Sequence, residues 1–170
     1  PTSSTTTQLS IGDALAISLM IEKKFDKLDF KKCHPAGNLA KKLKTASDIM
    51  MTGKKIPFIN ENIKMKDALK ELNSKKQGFL VVINKKGLTK GVFTDGDLKR
   101  LMQKRKIINN LKIKNFINKN PFVVKANMLA TEILAQMNKR KITNVCVYDN
   151  KNKKKTIGTI HIHNLINLIK

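Results

Sequence analysis

A chain of 170 residues fits one domain or two small ones, and 41% hydrophobic with 28% charged residues permits a packed core and argues against wholesale disorder. The formal charge is +23, from 35 Lys and Arg against 12 Asp and Glu, and no apolar run approaches the roughly 20 residues of a membrane span. Arginine occurs only at 100, 105 and 140, Trp is absent and Tyr148 is the single tyrosine, whereas nucleic-acid sites use Arg forks and stacking aromatics. The charge therefore reads as a solvated basic surface that attracts anions, with neither nucleic acid nor membrane as partner. Cys33 and Cys146 lack metal-knuckle spacing and are too few for a disulfide scaffold, which fits a reducing cytoplasm. No basic-then-apolar leader precedes Pro1, so the chain is expected to lack an export signal and to start inside a longer protein.

The first predicted element is a helix. Ser and Thr hydroxyls between Pro1 and Thr7 offer N-caps, and the apolar pattern begins at Leu9. From Ala14 to Ile21 the only polar residue is Ser18, so the helix needs cover on nearly all sides, and its partners are expected outside this chain. Cys33-His34-Pro35-Ala36-Gly37 marks an ordered turn, and residues 38–47 read as a short basic helix leading into a linker.

An internal repeat then sets the fold. Ile59 and Ile63 lead to a helix with Ala68, Leu69 and Leu72 on its apolar face, and Phe79-Leu80-Val81-Val82-Ile83 is a buried strand. Gly91-Val92-Phe93 is a returning strand, and Asp97-Leu98 opens a helix. At a shift of 65 residues Val124, Met128 and Glu132-Ile133-Leu134 repeat the pattern, and Cys146-Val147-Tyr148 replaces Val81-Val82-Ile83. A longer second turn moves the shift to 67, where Gly158-Thr159-Ile160-His161-Ile162-His163-Asn164-Leu165 matches Gly91 to Leu98. Each unit is β-α-β-β-α, an α/β (α+β) pattern whose small sheet needs the other unit as cover.

The repeat resembles a tandem pair of cystathionine-β-synthase (CBS) domains over about residues 46–170. Gly91-Val92-Phe93-Thr94-Asp95-Gly96-Asp97 fits that family's G-h-h-T-x-x-D ligand motif. Thr94 and Asp97 have two readings: contacts to the phosphate and ribose of a nucleotide, or ordinary helix caps. The second copy substitutes His161 and Asn164, which makes them weaker counterparts for the same ligand. His161-x-His163 has no nearby Cys, Asp or Glu to complete a metal sphere, so no metal site is expected.

The front blocks narrow the resemblance. Gly12-Asp13-Ala14-Leu15-Ala16 and His34-Pro35-Ala36-Gly37-Asn38-Leu39-Ala40-Lys41-Lys42-Leu43 look like the end of a sugar isomerase (SIS) domain. Followed by Thr94-Asp95-Gly96-Asp97-Leu98-Lys99-Arg100, they closely resemble the bacterial D-arabinose 5-phosphate isomerases, with Ala36 where those enzymes commonly carry Gly. The resemblance implies residues 1–45 as the remnant of a truncated SIS domain, 46–106 as one CBS domain and 107–170 as the second. It implies interconversion of D-ribulose 5-phosphate and D-arabinose 5-phosphate for 3-deoxy-D-manno-octulosonate and lipopolysaccharide synthesis, by a cytoplasmic homotetramer without metal or organic cofactor. His34 is then the catalytic residue, reaching a neighbouring subunit, and the sugar-phosphate substrate needs a Ser/Thr-rich loop that this chain lacks. The CBS cleft would take a nucleotide or a cytidylyl sugar as effector. The alternative is a nucleotide-binding CBS module with no catalytic role of its own.

Overall fold

The computed structural model describes residues 2–26, 29–30, 33, 43–104, 107–149, 152 and 154–169. The chain divides into two compact units, Pro1–Leu43 and Lys44–Lys170.

In the first unit helix α1 runs from Thr2 to Glu22 and none of its residues is buried. It starts at the first residue of the hydroxyl cluster and includes the whole cluster, which corrects the expected capping. Thr6, Thr7, Ser10 and Ser18 each donate a hydroxyl hydrogen bond to the carbonyl four residues back, at 2.8 to 2.9 Å. Back-bonding of this kind satisfies the hydroxyls inside the helix, so they need not stop it. Leu9, Leu15 and Ile21 are exposed by 68%, 62% and 73%.

The second unit contains the two repeats. After the short helix α2 (Ala46–Ile49), the first repeat comprises β1 (Phe58–Asn60), α3 (Met65–Lys75), β2 (Phe79–Ile83), β3 (Thr89–Thr94) and α4 (Asp95–Lys104). The second comprises β4 (Val123–Lys125), α5 (Ala130–Arg140), β5 (Asn144–Tyr148), β6 (Thr156–His161) and α6 (Ile162–Ile169). Each sheet has its middle strand parallel to the first and antiparallel to the third, in the orders β1-β2-β3 and β4-β5-β6. Successive side chains of a strand point to opposite faces. Leu80, Val82 and Phe93 thus join the α3 core with Met65, Ala68 and Leu72, while Val145, Val147 and Ile160 join the α5 core with Ile133 and Met137. Phe79, Val81, Val92 and Cys146 form a third cluster that joins one repeat to the other. Burial on both faces is why the middle strands read as unbroken apolar runs.

Each repeat is completed by a segment from outside it. Residues 45–51 lie on the second repeat: Ala46 is in the α5 core, Ala46 N–H donates to the Met128 carbonyl at 2.8 Å, and Met51 and Thr159 exchange backbone hydrogen bonds. Residues 108–118 lie on the first: Ile108 and Ile113 are in the α3 core, and Asn118 and Val92 exchange backbone hydrogen bonds. Glycines at matching positions permit this crossing. A Cβ on Gly91 would collide with the Asn118 carbonyl, and one on Gly158 with the Met50 side chain.

Candidate functional site

A cleft of about 560 Å³ lies where β2 and β5 begin and β3 and β6 end. Its size falls in the range of roughly 300–1,000 Å³ typical of small-molecule sites. The first repeat contributes residues 76–79, Val92, 94–97 and Arg100, and the chain that follows contributes Asn118, Pro121, Phe122, 141–144, Cys146 and His161. Phe79, Val92, Pro121, Phe122 and Ile142 supply apolar surface, while Lys76, Arg100 and Lys141 supply positive charge against Asp95 and Asp97.

Thr94 ends β3, and Asp97 is in the first turn of α4, so each can cap the other. The Thr94 N–H and Oγ1–H both donate to Asp97 Oδ2, at 2.9 and 2.7 Å, and Asp97 N–H donates back to Thr94 Oγ1 at 3.2 Å. The second carboxylate oxygen, Oδ1, accepts from Arg100 at 2.6 Å. The capping reading of the motif is therefore realised. Thr45 and Asp48 bond the same way, N–H and Oγ1–H to Oδ2 at 2.6 and 2.9 Å, yet neither lines the cleft. A T-x-x-D cap is thus a local device, and the Thr94 copy differs in holding a guanidinium at an open cleft.

His161 lines the same cleft as Thr94 and Asp97, whereas Asn164 is not among the lining residues. The His161 ring stacks on His163, with centroids 4.9 Å apart, and its Nδ1 accepts the His163 N–H at 3.2 Å. Burial, and then the neighbouring His163, lower the His161 pKa from its ordinary value, so the ring is neutral near pH 7. His34 lies outside the described residues. Among the described residues no group of three or more His, Cys, Asp or Glu side chains is placed to hold a metal. Burial pushes the Cys146 thiol up to about 12, which removes it as a nucleophile.

Among the cleft residues that the sequence reading did not mark as part of the site, three have polar contacts that shape it. Arg100 is one helical turn beyond Asp97, and that i,i+3 spacing was a usable signal. Asn144 donates Nδ2–H to the Gln77 carbonyl at 3.0 Å and keeps Oδ1 buried without a hydrogen-bond partner. Gln77 reaches back to the Lys55 carbonyl at 3.0 Å. Neither bond has a local sequence signature.

The family model described as "CBS domain" matches residues 46–104 and 113–170. The arabinose 5-phosphate isomerase KdsD of Yersinia pestis is 38% identical over 167 residues, 98% of this chain and 50% of that protein. The same enzyme from Francisella tularensis is 36% identical over 169 residues, 99% of this chain and 51% of that protein. The chain spans about half the length of the curated relatives it matches. The structure of a CBS-domain containing protein, ATU1752 from Agrobacterium tumefaciens, superposes with a TM-score of 0.66 at 18% identity, over 74% of this chain and 93% of that one. CBSX2 in complex with AMP gives 0.60 at 22% identity, over 72% and 93%. The CBS domain of a bacterial CNNM/CorC family Mg2+ transporter in complex with ATP gives 0.63 at 19%, over 77% and 90%.

Proposed function

Because the chain belongs to the CBS-domain family, we propose that residues 44–170 form the nucleotide-binding regulatory module of an aldose–ketose isomerase that interconverts D-ribulose 5-phosphate and D-arabinose 5-phosphate. The observation that carries the reading is similarity along nearly the whole chain, at 36–38% identity, to arabinose 5-phosphate isomerases. In this reading the protein is a cytoplasmic homotetramer feeding 3-deoxy-D-manno-octulosonate and lipopolysaccharide synthesis. His34 takes part in moving the proton next to the sugar carbonyl, through an enediol-type intermediate and without metal or cofactor. The cleft takes a nucleotide or cytidylyl sugar as effector: apolar walls hold the base, Arg100 and the lysines attract the phosphate, and Asp97 or Asn144 reads hydroxyl or amino groups. A second reading, a CBS module with no catalysis of its own, is favoured by the match of the CBS-domain family model to residues 46–104 and 113–170.

The test is conversion of D-arabinose 5-phosphate by the full-length protein. Turnover is expected, and His34→Ala should lower it by ~10²–10⁴-fold, the range of a positioned acid or base, without loss of fold or assembly. Near-normal turnover in a folded variant removes His34 from the chemistry. No conversion by the unmodified protein leaves the binding module.

A further inference from the structure

The two repeats match in sequence, but the two halves of their cleft do not match in chemistry. At the shift of 67 residues Thr94, Asp97 and Arg100 become His161, Asn164 and Asn167. The first half therefore holds a carboxylate bonded to a guanidinium at 2.6 Å. At the matching positions the second repeat carries an imidazole and two amides in place of the hydroxyl, carboxylate and guanidinium, and of these three only His161 lines the cleft.

The entrances differ as well. Met51 pairs with Thr159, two residues before His161, just as Asn118 pairs with Val92, two residues before Thr94. The segments that follow these bridges thus occupy matching places beside the two halves. On the His161 side, Gln77 Nε2–H donates to the Lys55 carbonyl at 3.0 Å and approaches Met51 Sδ at 3.4 Å. Lys75 Nζ donates to the Lys54 carbonyl at 3.1 Å. These bonds strap the end of α3 to the Gly53–Lys55 turn. On the Thr94 side, the counterpart of Gln77 is Ile142, whose alkyl chain has no donor, and the counterpart of Lys75 is Arg140. The Arg140 guanidinium stacks 4.3 Å from the Phe122 ring centre. Ile142, Asn118, Pro121 and Phe122 line the open cleft together with Gln77 and His161, whereas none of residues 51–57 does, so the cleft opens toward the Thr94 side.

We infer that the CBS pair takes a single nucleoside phosphate, in the half built by Thr94, Asp97 and Arg100, and that the Gln77 strap together with the missing cation keeps the His161 half empty. The inference rests on the nucleotide-binding reading above. Arg100 meets the phosphate charge, and Asp97, besides reading the ligand's hydroxyls, holds Arg100 at the cleft through Oδ1.

Calorimetric titration and native mass spectrometry of the protein with ATP as probe test this. One ATP per chain is expected, with affinity falling at least about tenfold in Arg100→Asn, the residue found at the matching position. Two ATP per chain, or one whose affinity Arg100→Asn leaves unchanged, overturns the inference and leaves nucleotide binding standing. No binding of ATP or AMP overturns the nucleotide reading and the inference with it. The double variant Gln77→Ala/Asn167→Arg cuts the strap and restores a cation, and should take a second ATP. A folded double variant that stays at one removes the strap and the charge as the cause, and the inference falls.

Discussion

Both carboxylate oxygens of Asp97 are engaged before any ligand arrives, one by Thr94 and one by Arg100. T-x-x-D was legible in the sequence because helix capping and ligand binding ask for the same residues at the same spacing. Gln77 and Asn144 were illegible because their value comes from partners distant in the chain. Thr159 shows how one atom can work against the fold. Its Oγ1 is buried without a hydrogen-bond partner, while Val92 stands at the matching place in the first repeat. Thr159→Val should raise stability by about 1–2 kcal/mol, by removing an unpaired buried hydroxyl; a lower urea midpoint would show that the hydroxyl is satisfied. His161 carries a pH effect of defined sign. Its pKa is lowered in the folded protein, so the unfolded chain binds the proton first as pH falls through about 6.5. Stability should therefore decline on acidification through that value, until the folded-state pKa is passed. The decline should be smaller in His161→Gln, and identical urea midpoints against pH for the two proteins would contradict this.

Elements were read best where one physical demand dominated. The run Phe79–Ile83 admits only a doubly buried strand, and β2 has those bounds. The start of α1 was misplaced because a hydroxyl-rich stretch signals a cap and a back-bonded helix equally well. The crossed lead-in segments were invisible, since nothing near Met51 announces a partner at Thr159. What the sequence does carry is the glycine at each crossing, whose need is steric. Gly91→Ala should cost about 2–3 kcal/mol, because its Cβ would meet the backbone of Asn118, which cannot move alone. Gly158→Ala should cost less, about 1 kcal/mol, because Met50 is an adaptable side chain. Thermal or urea denaturation ranks the pair, and the reverse order would mean that the Asn118 segment yields more easily than Met50.

At the scale of the whole molecule, charge and apolar surface are unevenly spread. From Leu98 onward there are 17 Lys and Arg against Glu132 and Asp149, a net of +15, so anion binding should weaken with added salt. The helix Thr2–Glu22 instead presents leucine and isoleucine to solvent, an exposure that drives association. A chain shortened to begin at Leu43 keeps Lys44, whose carbonyl accepts the Ala130 N–H. It should stay dispersed where the 170-residue chain self-associates, as sedimentation velocity would show; equal behaviour would mean that α1 finds cover within the chain. The crossed lead-ins also govern the order of assembly during synthesis. The first repeat cannot complete its core until residues 108–118 have left the ribosome. Residues 45–51, which precede both repeats in the chain, wait for β6, the last strand of the second repeat. The second core therefore closes only after β6 has emerged, and a chain that stops short of β6 can close the first core but leaves the second open.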